Sequence, residues 1–182
     1  QMIVSYRGGT VPRGALDDPL DAELRALATA TLGRVDEAME RFAFDEALKA
    51  IWALIGRANK YIDETMPWKL AREGQEKKLD SVLLSLYEAL RLSALLAAPY
   101  MPGTSRRIWE QLGLDGSPLE LRYDDFVWGA GAGTRVRKAE VLFPRIDLEA
   151  WKKARGEEGA RSGAPRKEEG GAVSKHEPDL EH

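Results

Sequence analysis

The sequence predicts an all-α fold: an antiparallel helix bundle, then a short irregular or β-like segment, then a disordered tail. Three observations predict it. Apolar residues recur at three- and four-residue steps through three long stretches, which is the period of a helix with one buried face. Short connections join these stretches, so neighbouring helices pack side by side. After Gly116 the periodicity gives way to glycine, proline and charge.

Taken in order, "MIVSYRGG", residues 2–9, reads as the last turn of a helix closed by Gly8 and Gly9, because glycine adopts the left-handed conformation that ends a helix. A helix that starts where the chain starts is expected of a piece cut from a longer protein. From Leu20 to Phe42 the apolar positions Leu20, Leu24, Leu27, Val35, Met39 and Phe42 mark a buried face. "LDDP" ahead of it supplies carboxylates to cap the first turn. Phe44, Leu48, Ile51, Ile55, Ala58 and Ile62 mark the next helix, which must end near Met66 because Pro67 disfavours helical backbone in the residue before it. A third long helix is expected from Gln75 to Ala98, with Leu79, Leu83, Leu86 and Leu90 inward. A short fourth starts at Pro102, suited to a first turn, and stops at Gly113.

Beyond Gly116, "FVWGAGAGTRVRKAEVLFPRI" predicts at most two short strands, packed on the bundle by Phe126, Trp128, Leu142 and Phe143. Glycines 129, 131 and 133 lack the Gly-Lys-Ser/Thr ending of a phosphate loop and read as a flexible turn. The bundle is expected to occupy 1–151. Residues 152–182 carry seven Lys and Arg against seven Asp and Glu, with little to bury, and are expected to be a disordered linker or tail. The final "LEH" reads as a purification-tag remnant.

Composition excludes several kinds of chemistry. There is no cysteine, hence no disulfide, thiol catalysis or thiolate metal site, which suits a reducing cytoplasm. Both histidines, His176 and His182, lie in the tail, so no histidine base serves the folded part and no metal site is expected. No apolar run is long enough to cross a membrane. The net charge of −3 means that any nucleic-acid contact uses a local cluster of cations rather than a global field. Adjacent carboxylates, as in Asp17-Asp18, Asp63-Glu64 and Asp124-Asp125, point in different directions on a helix and read as caps or solvated faces. With no nucleophile elbow and no nucleotide loop, the chain is expected to have no catalytic residue and no activity by itself.

Binding remains, and "RANKYIDETMPWKLA", residues 57–71, is where the residues suit it. Trp68 falls just past the proline break, off the helix's apolar face, with Arg57, Lys60, Lys69 and Arg72 around it and Asn59 and Asp63 one and two turns back. A ring stacks on an unpaired base, cations hold phosphates, and amide or carboxylate groups read the base edge. Composition alone favours the blander role, in which Trp68 folds back as a plug over the helix end. Trp52, Trp109, Trp128 and Trp151 fit burial better still.

The same stretch closely resembles the signature of the C-terminal domain of methionyl-tRNA synthetases, in which Ala-Asn-Lys/Arg-Tyr-Ile/Val-Asp ends one helix and Pro-Trp opens the next segment. "LLAAPYMPGTSRRIWEQLGL" at 95–114, "LFPRID" at 142–147 and "YRGGTVP" at 6–12 resemble the same family, in the family's order. The resemblance implies a class I synthetase anticodon-binding bundle that recognises the CAU anticodon of methionine tRNAs. By the same resemblance Trp68 stacks on an anticodon base, with Asn59 and Asp63 beside it. It also implies a parent enzyme, a methionine–tRNA ligase of the cytoplasm, whose catalytic half holds ATP, methionine and zinc. The motifs of that half are absent here. The expected partners are the methionine tRNA anticodon stem-loop and the parent's own catalytic domain, with no membrane and no DNA.

Two other readings compete. A leucine-, isoleucine- or valine-type synthetase shares the bundle and the Ala-Pro-x-x-Pro motif, but is not expected to carry "NKYIDETMPW". A helical protein-interaction module predicts a buried Trp68.

Overall fold

A computed structural model describes residues 1–120, 125–137, 141–145 and 147–154. Of the expected tail at 152–182, residues 155–182 lie outside the described residues, as does Asp124 of the Asp124-Asp125 pair, while residues 152–154 are described and helical. Gln1–Leu142 forms one compact unit.

Helix α1 (Met2–Arg7) ends at Gly8, which takes φ 57°, as the Gly-Gly pair predicts. Helix α2 (Pro19–Glu40) starts on Asp18, whose side chain accepts from the Leu20 N–H at 3.0 Å. Helix α3 spans Phe44–Thr65, α4 Pro67–Arg72, α5 Glu76–Ala97 and α6 Pro102–Gln111. Prolines stand at the first turns of α2, α4 and α6, where no N–H is needed for the helix ladder.

Helix α3 runs antiparallel to both α2 and α5. Near one end of the bundle Tyr61 of α3 meets Asp21 of α2 and packs with Leu24, Leu70, Leu79 and Leu83. Near the other, Ala47 and Ile51 of α3 pack with Val35, Ala38, Leu96 and Ala97. Each fully buried residue such as Leu54 or Ile51 contributes roughly 1.5–3 kcal/mol through apolar area removed from water.

Helix α5 lies at the centre, against α2, α3, α4 and α6. It is therefore buried on nearly every side rather than along one stripe, and even Ser81, Ser85, Glu88, Arg91 and Ser93 are enclosed. A third cluster, Val11, Leu84, Tyr87 and Leu112, closes α5's remaining face. There residues 9–11 pair with 133–136 through Val11 N–H to Thr134 O (2.9 Å), Gly133 N–H to Val11 O (2.9 Å) and Val136 N–H to Gly9 O (2.8 Å). This is an isolated antiparallel bridge, Thr10 with Arg135, and no strand is present among the described residues. Gly131 is tightly placed rather than loose: a Cβ there would come within 2.0 Å of the Tyr87 ring. Arg7 ties α1 to the start of α5 by pairing with Asp80 and Glu76.

Several expected core positions are corrected. Phe42 is 78% exposed, because α2 stops at Glu40 and Phe42 itself turns left-handed at φ 57°. Phe44 is half exposed and meets Phe42 edge-on at 6.3 Å. The inward line of α3 is rotated by one residue, to Ala47, Ile51, Leu54, Tyr61 and Thr65, because the helix is wedged between α2 and α5. Leu90 is exposed, at the mouth of an apolar cavity of about 410 Å³ between α1, α5 and α6. Phe126 and Trp128 pack on the core as expected, and Leu142 lines that cavity, but Phe143 is exposed.

The described residues from Phe143 onward fall in a second unit and contain α7 (Leu148–Ala154), a helix the sequence reading missed. Its signal was a cap: Asp147 Oδ1 accepts from the Glu149 and Ala150 N–H groups at 3.1 and 3.2 Å, with Lys152 and Lys153 in the last turn.

Candidate nucleic-acid interface

The break after α3 is made by one residue. Met66 takes φ 44°, donates its N–H to Ile62 O at 2.9 Å and accepts from the Lys69 and Leu70 N–H groups at 2.8 and 3.2 Å. Pro67 and Leu70 then turn inward and are buried, which anchors the six-residue α4 from below. Trp68 and Lys69 are left facing out, and the indole is 50% exposed. Trp68 is not a plug over the helix end.

Asn59 and Asp63 lie one turn apart on the outward face of α3. Neither side chain has a hydrogen bond or ion pair among the described residues, so the amide and the carboxylate are both available to a partner. What fixes their direction is Tyr61 between them. It points inward, fully buried, and its hydroxyl donates to Asp21 Oδ1, which also accepts from Ser85 Oγ at 3.1 Å. One carboxyl thus joins α2, α3 and α5. Burial, reinforced by Asp21, pushes the Tyr61 phenol well above its ordinary pKa. The sequence reading noticed Tyr61 only as part of a motif. A tyrosine in phase with Leu54 and Ala47 was the available signal.

The four expected cations separate. Arg57 has a side chain only 10% exposed, donates to Glu23 from Nε and Nη2 at 2.8 and 3.1 Å, and pairs with Glu64 at 3.0 Å. The Glu23 bond is the main reason its pKa rises, and Arg57 in turn holds Glu23 below the usual carboxylate range. Lys60 pairs with Glu64 at 3.4 Å and Lys69 with Glu73 at 3.9 Å, both exposed pairs of the exchangeable kind. Arg72 is exposed and makes no ion pair among the described residues.

The other tryptophans are only partly as expected. Trp109 is buried and donates from Nε1 to Asp115 O at 3.0 Å, and Trp128 is half-buried. Trp151 is exposed in α7, and Trp52 is 50% exposed in the middle of α3, because the rotation of the buried line carries position 52 outward. Among the described residues no group of three His, Asp or Glu side chains could hold a metal ion, and no helix is long and apolar enough to cross a membrane. The apolar cavity includes none of the expected site residues.

Among the described residues α3 thus presents two unpaired polar side chains and α4 an exposed indole, with Lys60, Lys69 and Arg72 exposed on the same two helices. An indole can stack on a flat ring, and an amide or carboxylate can hydrogen-bond a ring's edge. Comparison with known proteins points the same way. Residues 11–159 match a family described as the anticodon binding domain of methionyl tRNA ligase. The chain is 44% identical over 152 residues to the methionine–tRNA ligase of Clostridium tetani, covering 82% of this chain and 23% of that protein. It is 39% identical over 151 residues to the methionine–tRNA ligase of Bacillus subtilis, with 81% and 23% covered. Among solved structures, the free form of Mycobacterium tuberculosis methionyl-tRNA synthetase superposes with a TM-score of 0.72 at 31% identity, covering 80% of this chain and 30% of that one. The chain spans less than a quarter of the length of the curated relatives it matches.

Proposed function

The chain belongs to the family of anticodon-binding domains of methionyl-tRNA ligases, and from that premise we propose that it reads the CAU anticodon of methionine tRNAs. Trp68 stacks on an anticodon base, and Asn59 and Asp63 offer an amide and a carboxylate to base edges. Lys60, Lys69 and Arg72 meet backbone phosphates. Arg57 takes the supporting role, because its guanidinium is already shared by Glu23 and Glu64 and holds α2 against α3.

The observation that carries this reading is the half-exposed indole of Trp68 on a helix whose Pro67 and Leu70 are firmly buried. The half of the indole left in water on so well anchored a turn adds nothing to the fold. The chain then acts as the tRNA-selecting part of a cytoplasmic enzyme that joins methionine to tRNA at the expense of ATP. On this reading ATP, methionine and zinc belong to a catalytic domain outside this chain, which spans 23% of the Clostridium tetani relative.

The test is a titration with a methionine anticodon stem-loop and with one whose CAU is altered, each repeated with Trp68→Ala. We expect selective binding to the CAU loop, weakened about tenfold or more by the substitution, as loss of one stacked base implies. Equal affinity for both loops, or for the chain with and without the indole, overturns the reading.

A further inference from the structure

We infer that Trp52 is a second stacking platform, for another unpaired base of the same RNA loop; this rests on the anticodon reading above. Trp52, Gly56, Asn59 and Asp63 follow one another at steps of four, three and four, and all are exposed. They form one face of α3, opposite the buried line of Ala47, Ile51, Leu54, Tyr61 and Thr65. At the helical rise, Trp52 stands about 10 Å from Asn59 along the axis, a span that two or three extended nucleotides cover.

Gly56 is the second observation. A Cβ there would meet nothing within 4 Å, and its φ is not positive, so neither packing nor backbone requires glycine. Glycine in a helix interior is less stable than alanine, which makes its presence a cost to the fold. Side chains on a helix lean toward its N-terminus and cover the preceding turn, so a side chain at 56 would lie over Trp52. Glycine leaves one face of that indole open. The result is a shelf bounded by a flat ring on one side and by the edge-reading Asn59 and Asp63 on the other.

The occupant is a base rather than a protein surface. Along the outward face Trp52 is preceded by Asp45 and Lys49, paired at 2.9 Å, and followed by Gly56, Asn59, Lys60 and Asp63, so it is the one large apolar side chain on that face. A stable protein interface buries more than about 1,000 Å². One ring in polar surroundings is the dimension of one stacked base.

The experiment measures affinity for the CAU stem-loop in the unsubstituted chain and in Trp52→Ala, Gly56→Ala, Gly56→Leu and Trp68→Ala, with a thermal melt of each. We expect Trp52→Ala and Gly56→Leu each to bind about tenfold more weakly, with melting unchanged or raised, and Gly56→Ala to bind within about twofold of the original. Gly56→Leu keeps the indole and favours the helix, so its loss of affinity is independent of how Trp52→Ala folds. If both bind normally while Trp68→Ala fails, the second platform is wrong, a protein partner becomes the occupant, and the anticodon reading stands. If the unsubstituted chain does not bind the loop selectively, both readings fall.

Discussion

Glu88 and Arg91 form an ion pair with both side chains buried, Nη2 lying 2.9 Å from Glu88 Oε2 across one turn of α5. Neither charge is left idle. Glu88 Oε1 accepts from the Gly131 N–H at 2.7 Å, and Arg91 donates to the carbonyls of Asp125 and Val127. The pair is the clamp that holds the glycine-rich segment on the bundle.

Removing one partner should therefore cost far more than removing both. Arg91→Met leaves a buried carboxylate alone and is expected to lower unfolding free energy by about 3–5 kcal/mol, while Glu88→Leu with Arg91→Met recovers a large part of it. Urea denaturation of the three chains checks this. Additive losses would sink it.

Tyr61→Phe removes a buried donor to Asp21 and should cost about 1–3 kcal/mol at neutral pH. The folded pKa of Tyr61 is raised above the unfolded value, so its contribution is complete below about pH 10 and is lost as the pH rises toward the folded value. The stability gap between the original chain and Tyr61→Phe should accordingly narrow above pH 10. Melting curves from pH 8 to 11 show whether it does.

Two glycine-to-alanine changes should act in opposite directions. At Gly131 a Cβ would come within 2.0 Å of Tyr87 Cε1 and 2.8 Å of Glu88 Oε1, so alanine is expected to destabilise by about 1–3 kcal/mol. At Gly33, within α2, it meets nothing within 4 Å and should stabilise by about 1 kcal/mol. Paired denaturation midpoints decide.

Salt dependence should separate the cations. Arg72→Ala is expected to flatten the log–log slope of stem-loop affinity against salt by about 0.7, the value for one phosphate on a single strand. Arg57→Gln should leave the slope unchanged and lower the melting temperature, since its partners are Glu23 and Glu64. An unaltered slope in Arg72→Ala removes that residue from the phosphate contacts.

Most of the bundle was legible in the sequence because helix ends are local matters. Asp18, Pro67, Pro102 and the Gly8-Gly9 pair act on backbone within a turn of themselves, and the boundaries they predict are those observed. The direction each helix faces depends on its neighbours, and there the reading slipped. Spacing alone does not say that α3 is pressed from two sides, so the inward line it predicts lies one residue off and puts Trp52 in the core. Leu90 departs from the predicted stripe because α5 has no outside face for a stripe to define, apart from the cavity rim. Arg57 looked like a free cation because its partner Glu23 lies 34 residues away in the chain. Trp68 was legible as an exposed ring only through the company of its motif. Composition argued for burial.

Met66 has a consequence for motion. Its N–H is the last donor of α3 and its carbonyl the first acceptor of α4, so the two helix ends meet on a single residue. Helix termini ordinarily fray and exchange their amide hydrogens quickly. Here the amides of Met66, Lys69 and Leu70 should exchange together, at the slow rate of a larger opening that also frees Pro67 and Leu70. The indole of Trp68 is thus carried into solvent by backbone with the persistence of the interior, and an incoming base meets a ring whose position is already set.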